Sequence, residues 1–321
     1  MEHRRFGRTG LSVPALTFGG GWVGGVLIHR DRDEAFSALD RAMGAGMDWI
    51  DTAALYGDGI SETVIGAWLA ARPEARPGLS TKFMLDPAAP DLRGRMLASV
   101  EASLARLGRD RVPLILLHNP VGGADPRALD VAGALAAADM METLRENGLC
   151  DHIGMTAIGD PAALAQVVDA GRFDVAQVYV NMLNPTAIAG RRPWNSTNFD
   201  GLLKRCAAQD MGVMAIRILA AGHLASETRH GREIPITEAA DAAAEEARAA
   251  AVRAALPAGL GAPAQAALRF GLGIAEVSTV VVGLGEIAHL ELAIAAERTG
   301  PLPPEALAAL ETAWADPAFT A

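Results

Sequence analysis

Asp51, Tyr56, Lys82 and His118 are the residue types that move protons, and three of them close short apolar runs. Asp51 ends residues 47–51, Lys82 ends 78–82 and His118 ends 113–118. Charged side chains rarely enter such runs unless they are paired. Three successive runs ending this way point to a convergent cluster rather than to separate accidents. Taken singly, Asp51 reads equally well as a helix N-cap and His118 as a hydrogen-bonded core histidine. Tyr56 follows five residues after Asp51, and the only other tyrosine, Tyr179, sits inside a later apolar run. An ammonium beside a phenol favours the phenolate. Asp51 is therefore expected to pair with Lys82 and hold its ammonium against Tyr56, while His118 donates to a substrate oxygen. That set suits proton transfer at a carbonyl oxygen while a hydride arrives from a cofactor.

Such a cluster needs a scaffold that brings run ends together. Apolar runs at 15–18, 47–51, 78–82, 113–118, 152–156, 175–180, 212–216 and 277–282 read as strands. Helical periods separate them. Residues 31–44 place Phe36, Leu39, Ala42 and Met43 on one stripe; 61–71 open with Ser61-Glu62 as a capping start; 91–107 repeat Leu92, Met96, Val100 and Leu104. Asp160-Pro161 reads as an N-cap with proline at the first helical position. Strands alternating with helices make a parallel sheet with right-handed crossovers. Eight such units close a (β/α)8 TIM barrel of α/β class, whose chemistry lies at the carboxyl ends of its strands. A doubly wound sheet would want a dinucleotide fingerprint after the first strand, and Gly19-Gly20-Gly21 followed by Gly24-Gly25 lacks that spacing. Residues 6–11 read as a hairpin turn capping the barrel floor. The segment 239–255, almost pure Ala, Glu and Arg, reads as a solvated helix, broken at 258–263 before another helix at 264–271.

The 321 residues, 50% of them hydrophobic and 21% charged, describe one folded domain over 1–321 rather than a disordered chain. A net charge of −10 argues against a nucleic-acid footprint. Two cysteines, Cys150 and Cys206, form no disulfide framework, which fits a reducing cytoplasm. No secretory h-region follows the first residues, and no run is long enough to cross a membrane. The expected partner is a small-molecule substrate, not nucleic acid or a membrane; oligomeric state is left open.

The stretch Asp51-Thr52-Ala53-Ala54-Leu55-Tyr56-Gly57, with Ser61-Glu62 and Ile65-Gly66, resembles the signature of the aldo-keto reductase superfamily. Thr81-Lys82 and Leu117-His118 then fall where that family keeps its catalytic lysine and histidine. The resemblance runs from about Arg5 to the helix after Val282. It implies a single barrel that binds NADH or NADPH in extended form and interconverts carbonyls and alcohols. It also makes Asp51, Tyr56, Lys82 and His118 the catalytic tetrad, with Tyr56 the proton donor or acceptor.

Cofactor contacts carry over by position. Gln177 matches the glutamine that holds the nicotinamide carboxamide, and Gly20 and Asp51 join the cofactor set. Thr156 keeps the hydroxyl of the family's Ser-Asn, while Ala157 loses the amide. Where the family has an aromatic followed by Ser-Pro-Leu, this chain reads Ile216-Arg217-Ile218-Leu219. Arg217 there could lie on the nicotinamide ring, reach the pyrophosphate or pair with a rim acid. Gly222 and the turn Gly283-Leu284-Gly285 are where barrels seat phosphate. Glu286 stands where NADPH users carry a base, with His289 one turn further on and Ala293 replacing an asparagine. A carboxylate there repels a 2′-phosphate and accepts from a 2′-hydroxyl, so NAD is expected over NADP. Equally, Glu286 reads as a first-turn acid favoured by the helix dipole.

An NAD-linked dehydrogenase of a sugar or small alcohol is the leading expectation. The alternatives are an NADPH-dependent reductase of small aldehydes and a nicotinamide-nucleotide-sensing subunit with little turnover. A lyase or isomerase on the same barrel would need a Schiff-base lysine or metal ligands, and no such spacing is seen. The remaining histidines, His3, His29, His152, His223, His230 and His289, are scattered and read as solvated or structural. Substrate contacts are expected from Trp22, Tyr56 and His118, and from the segment 191–198 with Trp194.

Overall fold

The structure, a computed structural model, describes residues 1–188, 197–225, 242–316 and 319. An antiparallel hairpin, β1 (His3–Arg5) with β2 (Ser12–Pro14), precedes the barrel and pairs Arg4 with Val13. Eight parallel strands follow: β3 (Leu16–Gly19), β4 (Trp49–Asp51), β5 (Gly78–Phe83), β6 (Val112–Leu117), β7 (Cys150–Ala157), β8 (Val175–Tyr179), β9 (Gly212–Ile216) and β10 (Thr279–Gly283). They close in chain order, with β10 pairing back onto β3. The helices are α1 (Arg32–Gly44), α2 (Ile60–Ala71), α3 (Leu92–Leu107), α4 (Val131–Glu146), α5 (Pro161–Asp169), α6 (Leu202–Ala208), α7 (Ala242–Ala255), α8 (Pro263–Leu272), α9 (Ile287–Thr299) and α10 (Pro304–Ala315). The (β/α)8 barrel with an N-terminal hairpin is therefore the fold, and each expected strand is present within a few residues of its expected ends.

Burial on both faces explains why these strands are nearly all apolar. One face packs on the helices. The other fills the barrel, where Phe6, Val13, Trp49, Leu114, Leu116, Val175 and Met214 form a separate buried cluster. Phe6 and Val13 come from the hairpin, so it seals the floor of the barrel. The Phe6 ring meets Trp49 edge-on at 5.6 Å. Gly212 has no Cβ because one would stand 2.5 Å from the Phe6 ring. The helices start on aspartate caps where the sequence offers them. Asp31, Asp91, Asp130 and Asp160 each accept a backbone N–H three residues on.

Two expectations fail locally. Ser61-Glu62 do not cap α2, whose N-cap is Gly59 with φ +84°. Both side chains are buried instead and turned toward the barrel, because partners wait there for their polar atoms. The Ala-rich α7 is not a solvated helix: Ala249 and Val252 are fully buried and Arg248 nearly so. Alanine side chains let this helix lie close against α10, and an apolar alanine face is invisible to a polarity count. An ionic clasp also ties it to the turn after β9. His223 Nδ1 lies 3.0 Å from Glu246, and Arg253 donates both to Glu246 (3.1 Å) and to the His223 carbonyl (3.1 Å). Residues 239–241 lie outside the described residues.

Phe6 is fully buried, so Phe6→Ala should open a cavity in the barrel floor and lower stability by about 3–5 kcal/mol. Urea denaturation measures this; a loss below about 1 kcal/mol would mean the hairpin does not seal the floor.

Candidate active site

At the carboxyl ends of β4, β5 and β6 the structure brings Asp51, Lys82 and His118 together, with Tyr56 reaching in from the loop after β4. Lys82 Nζ donates to Asp51 Oδ2 at 2.6 Å, to the Thr52 carbonyl at 2.7 Å and to the Tyr56 hydroxyl at 3.3 Å. The ammonium thus spends its three protons on a carboxylate, a carbonyl and a phenol. Burial alone would push Lys82 down, but the Asp51 charge and the Tyr56 hydroxyl outweigh it and hold its pKa above the ordinary value. The Tyr56 and His118 rings meet edge-on at 5.8 Å. Both therefore border the same space.

Ser80, which the sequence reading passed over, and Gln177, which it gave to the cofactor, hold this cluster in place. Ser80 donates to Asp51 Oδ1 at 2.7 Å, and Gln177 Nε2 donates to the same oxygen at 2.8 Å. Ser80 lies two residues before Lys82 on β5, and the two-residue period of a strand would have put both on the inner face. Thr81 faces the other way and donates to the buried carboxylate of Glu62 on α2. Arg106 of α3 completes that network, its Nε donating to Glu62 at 2.8 Å. Thr52 and Ser61 share a 2.8 Å hydroxyl contact beside it. The two helices that flank Lys82 are thereby joined to its strand, and only the folded chain shows it, since Glu62 and Arg106 stand 44 residues apart.

At the site, two buried polar atoms, His118 Nδ1 and Thr156 Oγ1, have no hydrogen-bond partner among the described residues. Buried polar groups are normally satisfied, so these atoms mark where a bound molecule would make contacts. Burial, with the charges of Lys82 and Arg127 behind it, pushes the His118 imidazole down to about 3. It is neutral at working pH and can still donate through one ring nitrogen.

The remaining candidates ring this centre. Gly20 is pressed between loops, where a Cβ would stand 2.6 Å from Ser61 Oγ and 3.3 Å from the Asp51 carbonyl. Ile216 ends β9, and Ile218 is buried against α8, where a Cβ on Gly271 would stand 2.7 Å from it. Leu219 precedes a 3-10 turn ending at Gly222, whose φ is +108°. Arg217 also has a positive φ, +60°, and burial holds its guanidinium below the ordinary pKa. Gly283 ends β10 and Gly285 precedes α9, with Glu286 as its N-cap residue. His289 Nδ1 lies 3.2 Å from the Gly285 amide and its Nε2 3.5 Å from Glu286. The sequence reading missed Arg30, which donates to the Gly285 carbonyl at 3.0 Å and lies 3.7 Å from Glu286. Ala293 is fully buried on α9. Trp22 is 42% exposed and rests against His29, while its neighbour Gly21 faces the Tyr56 ring. Trp194, with all of 191–196, lies outside the described residues.

The family model for the aldo/keto reductases matches residues 15–315. The chain belongs to the aldo/keto reductase family. As an aldo/keto reductase it is an oxidoreductase that uses a nicotinamide cofactor and acts on small molecules. Among curated proteins it is similar to a D-threo-aldose 1-dehydrogenase of a Pseudomonas species, 30% identical over 253 residues, 70% of this chain and 71% of that one. It is also 29% identical over 162 residues to an L-galactose dehydrogenase of Arabidopsis thaliana, 49% of each chain. Among solved structures, the holo form of an aldo-keto reductase from Bacillus halodurans superposes with a TM-score of 0.73 at 21% identity, covering 98% of this chain and 96% of that one. Among the described residues of this family member, no helix is long and apolar enough to cross a membrane.

The buried imidazole has a consequence for stability. Unfolded histidine takes up its proton near pH 6.5, whereas native His118 does so only at about 3. Between those values the unfolded state binds more protons, so stability falls as pH falls through that window. From pH 7 to pH 5 this one group should cost about 2 kcal/mol. His118→Asn should lose that much less stability over the same range in urea titrations, and identical slopes for both proteins would show that the imidazole is not held neutral.

Proposed function

We propose that this aldo/keto reductase oxidises a hydroxylated substrate, a sugar or small alcohol, with NAD as its preferred cofactor and Tyr56 as the proton acceptor. The contact that carries the reading is Lys82, whose ammonium touches both the Asp51 carboxylate and the Tyr56 hydroxyl. A bound nicotinamide supplies or accepts the hydride. The chain's own residues handle the proton. In oxidation, the substrate hydroxyl gives its proton to Tyr56 Oη as the carbinol hydrogen leaves as hydride, and a carbonyl forms. Lys82 steadies the phenolate that receives the proton, and Asp51 keeps the ammonium in place. His118, neutral, donates to the substrate oxygen and orients it. In reduction the same atoms move the other way. The unpartnered Thr156 hydroxyl, with Gln177 beside it on β8, fits a carboxamide at the nicotinamide end. The substrate class rests on the two sugar dehydrogenases to which the chain is similar.

Tyr56→Phe removes a single hydroxyl and leaves the cleft intact. Turnover should fall by at least about a hundredfold with cofactor affinity nearly unchanged. A variant keeping more than a tenth of wild-type kcat at saturating substrate would remove Tyr56 from the role given it.

The cofactor preference rests on Glu286, exposed at the start of α9, at the position where NADPH users of the family carry a base. Arg30, 3.7 Å away, offsets part of that charge, so the discrimination should be nearer one decade than two. Fluorescence titration should find NADH bound about tenfold more tightly than NADPH, with Glu286→Lys closing or inverting the gap. Tighter NADPH binding by the unaltered chain would overturn the NAD assignment.

A further inference from the structure

The side-chain oxygens of Asp51 face donors. Oδ2 takes a proton of Lys82, while Oδ1 accepts from Ser80 Oγ at 2.7 Å and from Gln177 Nε2 at 2.8 Å. A protonated carboxyl would need an acceptor instead. Neither the Lys82 ammonium nor the Gln177 amide nitrogen has a lone pair to offer. The Ser80 hydroxyl does, but Trp49 Nε1 donates to Ser80 Oγ at 3.2 Å. An indole N–H is a donor only. It occupies the hydroxyl oxygen from behind and leaves the hydroxyl hydrogen for Asp51.

The barrel is shaped to bring the indole there. In the β4–β5 ladder Asp51 pairs with Ser80 and Trp49 with Gly78. A Cβ on Gly78 would stand 2.1 Å from the Trp49 ring, so the missing side chain is the room in which the indole lies across β5. Phe6 of the hairpin packs against the same ring at 5.6 Å. Trp49, Ser80 and Asp51 are all buried, so water does not compete for their hydrogen bonds. Gln177 is also the residue expected to meet a nicotinamide carboxamide, and its amide is not reserved for Asp51. Ser80, enclosed between Trp49 and Asp51, has no second task.

We propose that Trp49 and Ser80 are positioning residues of the reaction: the indole N–H orients the Ser80 hydroxyl, which holds Asp51 as the carboxylate that keeps Lys82 against Tyr56. The line from Phe6 through Trp49 and Ser80 to Asp51 then joins the hairpin floor to the proton path. Both residues act through Asp51 and Lys82, and neither is catalytic. The inference rests on the proton path proposed above, and on neither the substrate nor the choice between NAD and NADP.

Two measurements test it, the first on the unliganded chain. The five tryptophans give five indole N–H resonances in a proton–nitrogen NMR spectrum, and Trp49→Phe identifies the one from Trp49. That resonance should move on Asp51→Asn, and the movement should vanish in a Ser80→Ala background. A resonance that stayed in place, or moved equally without the Ser80 hydroxyl, would overturn the relay. The second measurement is the single-turnover reduction of glyceraldehyde, a small hydroxylated carbonyl, by bound NADH. Ser80→Ala should slow it about tenfold with NADH affinity within about twofold of the unaltered protein. Ser80→Thr, which restores the hydroxyl, should recover most of the rate. In a Tyr56→Phe background Ser80→Ala should cost nothing further, because the path it serves is gone. A rate unchanged by Ser80→Ala, or slowed as much without the Tyr56 hydroxyl, would overturn the proposal. Full turnover by Tyr56→Phe would overturn the proton path itself, an outcome distinct from either of these.

Discussion

A lysine ammonium buried without solvent depends on its carboxylate, and much of this site follows from keeping Lys82 and Asp51 together. Removing one partner of such a pair typically costs about 3–5 kcal/mol, because the other charge is left uncompensated. Ser80 and Gln177 satisfy the second oxygen of Asp51, and the Thr52 carbonyl takes another proton of Lys82. Only then does the ammonium have its remaining direction open toward Tyr56. The same hydrogen bonds that make the pair tolerable in the barrel also aim it.

The barrel separates stability from chemistry along its axis. At the amino ends of the strands the hairpin drives Phe6 into the lumen against Trp49, and the interior there is apolar. At the carboxyl ends the inward positions become Asp51, Lys82, Thr156 and Gln177, all nearly inaccessible to solvent. Behind this layer, Glu62 links Thr81 to Arg106 and so joins α2, α3 and β5. A site held from both sides in this way is preorganised for the proton transfer proposed above.

Charge is arranged around the centre as deliberately as shape. Lys82 is paired, His118 is held neutral and Glu245 faces Arg248. At the start of α9, Arg30 approaches Glu286 to 3.7 Å and offsets part of its charge. The clasp of His223, Glu246 and Arg253 fastens α7 to the turn that follows β9. The segment that carries Arg217 is therefore tied down beyond its own strand.

The barrel and the positions of Asp51, Tyr56, Lys82 and His118 are legible in the amino-acid sequence because both depend on short-range pattern. Apolar runs bounded by turns define strands, and in a parallel barrel every strand end points to the same face. Helix starts at Asp31, Asp91 and Asp160 are readable for the same reason, since each cap spans only three residues. What depends on distant partners is not. Glu62 looks like a helix cap until α3 brings Arg106 against it, and Glu286 looks unopposed until Arg30 arrives from the first barrel loop. The alanine helix looks solvated until α10 covers it. Composition carries the type of each side chain, whereas its charge state and its neighbours are set by burial and by contacts between segments far apart in the chain. For this protein, then, the sequence alone determined which residues could perform the chemistry. The tertiary structure decided which charges are paired and which groups are held neutral.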